Sequence, residues 1–276
     1  MESLDFLYGT LPGRALLRPL VSRPVSRLCG RFLDTPASRV LIAPFVRANG
    51  IDTADYDLEN IGCFNDFFCR PLKPGRRPVD PDPAALVAPC DGLLTVLRAR
   101  EDLVLPVKQS RFSLARLLGD ASLAREFRDG ICLVYRLCVD HYHRYCYFES
   151  GFKSENRFLP GLLHTVRPVA LEDRPVFCEN CREYALIETE RFGRAVQMEV
   201  GALLVGRIVN DMPQPGPVRR GAEKGHFAYG GSTVIVLLPK DAAQLPPALW
   251  EASARGEETP VRMGQRIGSA REAGKS

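Results

Sequence analysis

Apolar residues in this chain fall into short blocks rather than long periodic stretches. Runs of strand length occupy residues 92–97, 131–139, 184–189, 195–209 and 233–238, divided by glycine, proline and charged turns, and they predict β-strands. Ser113 stands just before Leu114, Leu117 and Leu118, which predicts a capped helix over 113–118. Residues 12–47 read differently, as short helices interrupted by Pro19, Pro24, Pro36 and Pro44. Arg23, Arg27 and Arg31 recur at every fourth position there and share one helix face, with Val25, Leu28, Cys29 and Phe32 supplying apolar neighbours. Two readings stand: the helices lie in a lipid interface, or they pack on the body with arginine heads in water. A proline-rich connector over 71–83 marks a boundary, and the polar stretch after Pro239 is expected to end without structure. The expected fold is α+β and predominantly β: a compact barrel or sandwich of short strands over 71–276 behind a helical, membrane-associating segment over 1–70.

Composition narrows the function. The first fifty residues hold seven arginines against three carboxylates, which is the whole of the net charge of +4. Such a segment suits an anionic surface, and no interleaving of aromatic with basic residues favours nucleic acid as that surface. No apolar run is long enough to cross a bilayer, so membrane contact is expected to be peripheral. Nine cysteines without a secretory leader predict free thiols in a reducing cytoplasm.

Four segments carry candidate chemistry. Tyr229-Gly230-Gly231-Ser232-Thr233 precedes an apolar strand. Glycine freedom there would let the Ser232 hydroxyl turn back onto the Gly231 carbonyl. An N→O acyl shift and elimination would then cut the chain and leave a pyruvoyl group; a plain turn is the other reading. Asp140-His141-Tyr142-His143 sets two histidines two apart, on one face of a strand, with proton-moving capacity near neutral pH. Pro89-Cys90-Asp91-Gly92 is a turn whose carboxylate is able to orient an imidazole. His164 stands between apolar residues, as structural histidines usually do. Cys178 and Cys181 have thiol-redox or zinc spacing without a second pair, and no metal site is assigned. Glu199-Val200-Gly201-Ala202 and Val205-Gly206-Arg207-Ile208 read as a glycine-punctuated strand pair.

In order, these segments resemble the phosphatidylserine decarboxylase family of the prokaryotic, pyruvoyl-dependent type. The resemblance runs from Phe64-Asn65-Asp66-Phe67-Phe68-Cys69-Arg70-Pro71-Leu72-Lys73-Pro74-Gly75-Arg76-Arg77-Pro78 through Pro89–Gly92, Tyr142-His143-Arg144-Tyr145 and Glu199–Ala202. It closes with Glu223-Lys224-Gly225, Phe227 and Gly231-Ser232-Thr233-Val234. It implies a carboxy-lyase that turns phosphatidylserine into phosphatidylethanolamine and carbon dioxide through a Schiff base with a pyruvoyl group. That group would come from Ser232 by autocleavage after Gly231, giving a β chain 1–231 and an α chain 232–276. Asp91 and Ser232 match the family's self-cleavage acid and nucleophile, and His143 a histidine tied to decarboxylation. The family's further histidine is replaced by Cys146, so His143 or His164 is expected to supply the base, oriented by Asp91. Expected partners are phosphatidylserine, an anionic membrane surface on the cytoplasmic side, the two cleaved chains and, in one arrangement, a second copy in a homodimer. The alternatives are a lipid-binding homologue that does not process, or a metal- or redox-dependent thiol protein.

Overall fold

The computed structural model describes residues 3–100, 102–104, 111–166, 170, 175–203, 207–229 and 232–271. The N-terminal part is helical: α1 (Ser3–Gly9), α2 (Leu11–Leu20), α3 (Arg23–Leu33), a 3-10 turn (Pro36–Leu41), α4 (Ile42–Asn49) and α5 (Phe64–Phe68). Local chemistry sets these boundaries. Thr10 Oγ1 caps α2 by accepting from the Gly13 amide at 3.0 Å, and Pro12 sits in the first turn, where no amide is needed. Cys63 and Asp66 cap α5 reciprocally, the Asp66 carboxylate accepting from the Cys63 amide at 3.0 Å.

The body is mostly antiparallel sheet. Its principal strands are β1 (Gly92–Ala99), β2 (Gly130–Leu137), β3 (Arg144–Cys146), β4 (Arg182–Thr189), β5 (Arg194–Val200), β6 (Ile208–Asn210), β7 (Glu223–Phe227) and β8 (Ser232–Leu238). A nine-stranded sheet runs through β4, β5, β8, β2 and β1 in that spatial order, with shorter strands at each end. β8 is central and buried along its whole length. Its β-branched and apolar residues fit a strand covered on both faces. Val234, Val236 and Leu238 face one core with Tyr135, Tyr145 and Phe227; Ile235 and Leu237 face another with Val200, Tyr8 and Leu17. A three-stranded sheet, β6-β7-β3, covers the first face, and α1 and α2 pack toward the second. The layers are sandwich-like, and no sheet among the described residues closes into a barrel.

The strands expected near 92, 131, 184 and 233 form, and Ser113 caps a helix over Leu114–Leu118. Two expectations change. The run 195–209 does not make a local strand pair: β5 belongs to the large sheet and β6 to the small one. His141 and His143 lie in the loop between β2 and β3, because the β2 ladder ends at Leu137. The stretch after Pro239 carries strands and a helix through Ala270, with Leu245, Val261 and Ile267 in the core, and the end expected to lack structure, 272–276, lies outside the described residues. Single apolar residues set among polar ones carry too weak a pattern to announce such short strands.

Candidate active site

Ser232 opens β8 opposite Leu137 of β2. Alternation puts it on the face of Val234 and Val236, beneath the β6-β7-β3 sheet. It is fully buried, and its hydroxyl has no hydrogen-bond partner among the described residues. Gly230 and Gly231 lie outside the described residues.

His143 sits on the same side. Its carbonyl accepts from the Phe227 amide at 2.9 Å, tying it to the end of β7, from which the chain runs on to Ser232. Its Nδ1 lies 2.9 Å from the His141 carbonyl, so the proton belongs on Nδ1 and Nε2 is left as an acceptor. Nε2 is buried with no partner among the described residues. Complete burial, reinforced by the Arg70 charge, holds the imidazole well below its usual titration range, so it is neutral at pH 7.

The aromatic segment at α5 builds the wall of this site. The Phe68 ring centroid is 3.9 Å from that of His143 and 5.2 Å from that of Tyr229, and Phe64 is 5.0 Å from Tyr229. Asn65 Oδ1 accepts from the Tyr229 amide at 3.2 Å, and Cys69 Sγ lies 3.1 Å from the Phe227 carbonyl. Arg70, fully buried, donates to the carbonyls of Asp140 (3.2 Å) and His141 (3.4 Å). One short segment therefore holds both the histidine loop and the strand leading to Ser232. Sequence reasoning matched these residues to a family without assigning them a task; the dense Phe-Asn-Phe-Phe-Arg spacing was the available signal.

The other candidates sit farther out. The Asp91 carboxylate is gripped by Arg77, at 2.9 and 3.1 Å from Nε and 2.7 Å from the second guanidinium nitrogen, and accepts from the Met263 amide at 2.8 Å. His141 shares with it a cavity of about 440 Å³. His164 lies toward the other core, with Tyr8 Oη 3.2 Å from its Nδ1 and Glu179 3.9 Å from its Nε2. Asn180 links the His164 carbonyl (2.8 Å) to that of Gly201 (2.7 Å). His164 also lines a cavity of about 720 Å³ together with Arg14, Arg18 and Leu17 of α2. The Cys146 amide donates to the Pro89 carbonyl at 2.8 Å, and burial pushes its thiol up to about 12. It is therefore a thiol at neutral pH and a poor base.

The sequence profile described as phosphatidylserine decarboxylase matches residues 64–269. The chain belongs to the phosphatidylserine decarboxylase family. Among its relatives, phosphatidylserine decarboxylase proenzyme 2 of Clostridium acetobutylicum is 38% identical over 266 residues, covering 96% of this chain and 91% of the relative. A phosphatidylserine decarboxylase proenzyme of Clostridium perfringens is 34% identical over 97% of this chain and 93% of its own length. One from Ruminiclostridium cellulolyticum is 38% identical over 96% and 90%. In this chain the aromatic and histidine segments meet at Phe68, His143 and Tyr229, and Ser232 is buried at the head of β8.

Proposed function

We propose that this protein is a carboxy-lyase acting on phosphatidylserine, made as a proenzyme that cuts itself between Gly231 and Ser232. The observation that carries the reading is the buried, unpartnered Ser232 hydroxyl at the head of a central strand, in a chain aligned with proenzymes over nearly its full length. In the cut, the Ser232 hydroxyl attacks the Gly231 carbonyl and gives its proton to His143 Nε2. The peptide nitrogen leaves protonated and an ester joins the two residues. Loss of the Ser232 Cα proton then breaks the ester C–O bond, releases the Gly231 carboxylate and leaves dehydroalanine, whose imine tautomer takes up one water and loses ammonia to become the pyruvoyl end. The residues around position 232 suit a pyruvoyl end, because position 232 and His143 are fully buried, the Ser232 hydroxyl and His143 Nε2 are both unpartnered among the described residues and the imidazole is neutral. Such a group supplies a carbonyl for the substrate amine and an electron sink for loss of carbon dioxide.

His143 is favoured as the base over His164, since it shares the Ser232 side of the sheet and presents a free acceptor nitrogen. Asp91 acts at a distance, through its charge on His141 across the cavity the two line, while the Phe68 ring packs between His143 and Tyr229. His164 is assigned to the lipid-side cavity with Arg14 and Arg18. Within residues 1–70 the helices α2 and α3 rest on the anionic cytoplasmic surface of the membrane, while α5 and Arg70 join residues 71–276 in the catalytic unit. The N-terminal elements support this placement: Leu11, Leu16, Leu28, Phe32 and Val40 are exposed beside Arg18, Arg27, Arg31 and Arg39, and no described helix is long and apolar enough to span a bilayer. The thiol reading is weaker, because burial pushes Cys178 up to about 11 and Cys181 Sγ lies 3.0 Å from the Gly161 carbonyl.

Intact-mass spectrometry tests the proposal. Two chains divided after Gly231, the smaller with a blocked N-terminus, are expected. A single chain of 30.6 kDa with an ordinary serine would sink it. His143→Ala and His164→Ala test the base; normal splitting in both would remove the histidine assignment.

A further inference from the structure

Lys224 is the extra residue of a β-bulge. Pairing of β7 with β3 shifts register between Glu223 and Gly225, which leaves Lys224 outside the ladder and aims its side chain inward. Only 1% of it is exposed, and Glu199 is fully buried. Lys224 Nζ donates to Glu199 Oε2 at 2.5 Å and to Asn210 Oδ1 at 2.8 Å. Asn210 Nδ2 donates to Glu183 Oε1 at 2.9 Å and to Glu199 Oε2 at 3.3 Å, which bridges two carboxylates that face each other across β4 and β5. Glu199 Oε1 has no hydrogen-bond partner among the described residues.

Stability does not account for this arrangement. Removing two charges from water costs several kcal/mol each, and an apolar pair of equal volume is commonly as stable or more so. What sets the pair apart is where its two ends lie. β7 ends at Phe227, a few positions before the bond proposed to be cut, so in the order of the chain it belongs to the acyl side. Glu199 stands on β5 opposite Val234 of β8, diagonal to Ser232 and on the same sheet face. The pair thus ties the strand that delivers the carbonyl to the strand pair that holds the nucleophile. A slip of β7 by one residue would move the carbonyl by about 3.3 Å, and a misplacement of about 1 Å is already enough to slow a positioned reaction roughly 100-fold.

We propose that the buried Lys224–Glu199 pair is a positioning device for self-cleavage, fixing the register of the bulged strand β7 so that the Gly231 carbonyl meets the Ser232 hydroxyl. This rests on the self-cleaving reading above. The test is the double variant Glu199→Leu with Lys224→Met, followed by chain splitting during cell-free synthesis. Tm is measured separately with Ser232→Ala added, so that every chain is uncut. The expected result is a Tm equal to or above that of the parent and a splitting rate lowered at least ~10-fold. The charge-reversed pair, Glu199→Lys with Lys224→Glu, restores the tie and is expected to split faster than the apolar pair. Splitting of the folded apolar pair at the parental rate overturns the proposal. So does a lowered Tm or failure to fold, since either would make the pair structural. A parental chain that never splits refutes the self-cleaving reading instead.

Discussion

His143→Gln separates a buried neutral imidazole from an ordinary one. The unfolded chain protonates this histidine below about pH 6.5, whereas the native site, dry and beside Arg70, resists the proton. The sign follows: the unfolded state binds more protons as pH falls, so the native state loses stability below about 6.5 and nothing is lost above it. For a group that stays neutral in the fold, the loss is about 1.4 kcal/mol at one pH unit below that value and about 2.7 kcal/mol at two. Glutamine has no such titration. Urea unfolding of the uncut chain (Ser232→Ala) at about pH 7.5 and 5.5 should therefore show the parent losing about 1.4 kcal/mol more than His143→Gln over that interval. His141 and His226, also held low by burial, are present in both chains and cancel. Equal losses would refute the neutral-base reading. The cut takes place in the folded chain, so its rate should be flat from about pH 8 through 6.5 and stay flat well below that value; removal of the base should cost roughly 100-fold or more. A decline that begins above neutrality would show that another group takes the proton.

Other perturbations have equally definite outcomes. Ser232→Ala should yield one uncut chain by mass and no carbon dioxide from phosphatidylserine. Arg77→Met leaves the Asp91 carboxylate, whose side chain is 8% exposed, without its ion partner, and should cost about 3–5 kcal/mol in urea unfolding; adding Asp91→Asn should recover part of it. Leu28→Ser with Phe32→Ser alters side chains that are 68% and 51% exposed, so Tm should hold while binding to anionic vesicles weakens at least ~10-fold; unchanged vesicle binding would remove α3 from the membrane surface.

The secondary structure that could be read in advance was that with strong local signals. The run behind Ser232 is apolar at nearly every position, so it had to become a strand covered on both faces, and Ser113 caps its helix through the Arg116 amide three residues away. The histidine segment was legible as chemistry because two of the chain's four histidines stand there, and Ser232 because it follows two glycines directly before an apolar strand. Their relation in space was not. His143 and His164 are equally plausible bases in one dimension; the sheet puts one on the Ser232 side and the other toward α1 and α2. Asp91 reads as a partner for histidine, yet Arg77, fourteen residues earlier, reaches it first. Lys224 stands in the sequence only as part of the Glu223-Lys224-Gly225 segment and is brought inside by a bulge where β7 pairs with the distant strand β3.

By itself, then, the order of residues determined which segments become strands and helices and which side chains are able to attack, accept a proton or meet a lipid, because these depend on neighbours within a few positions. Which face each side chain meets, which charge it pairs with and which nitrogen stays free were decided only when distant strands came into register, because burial and pairing are set by contacts across the fold.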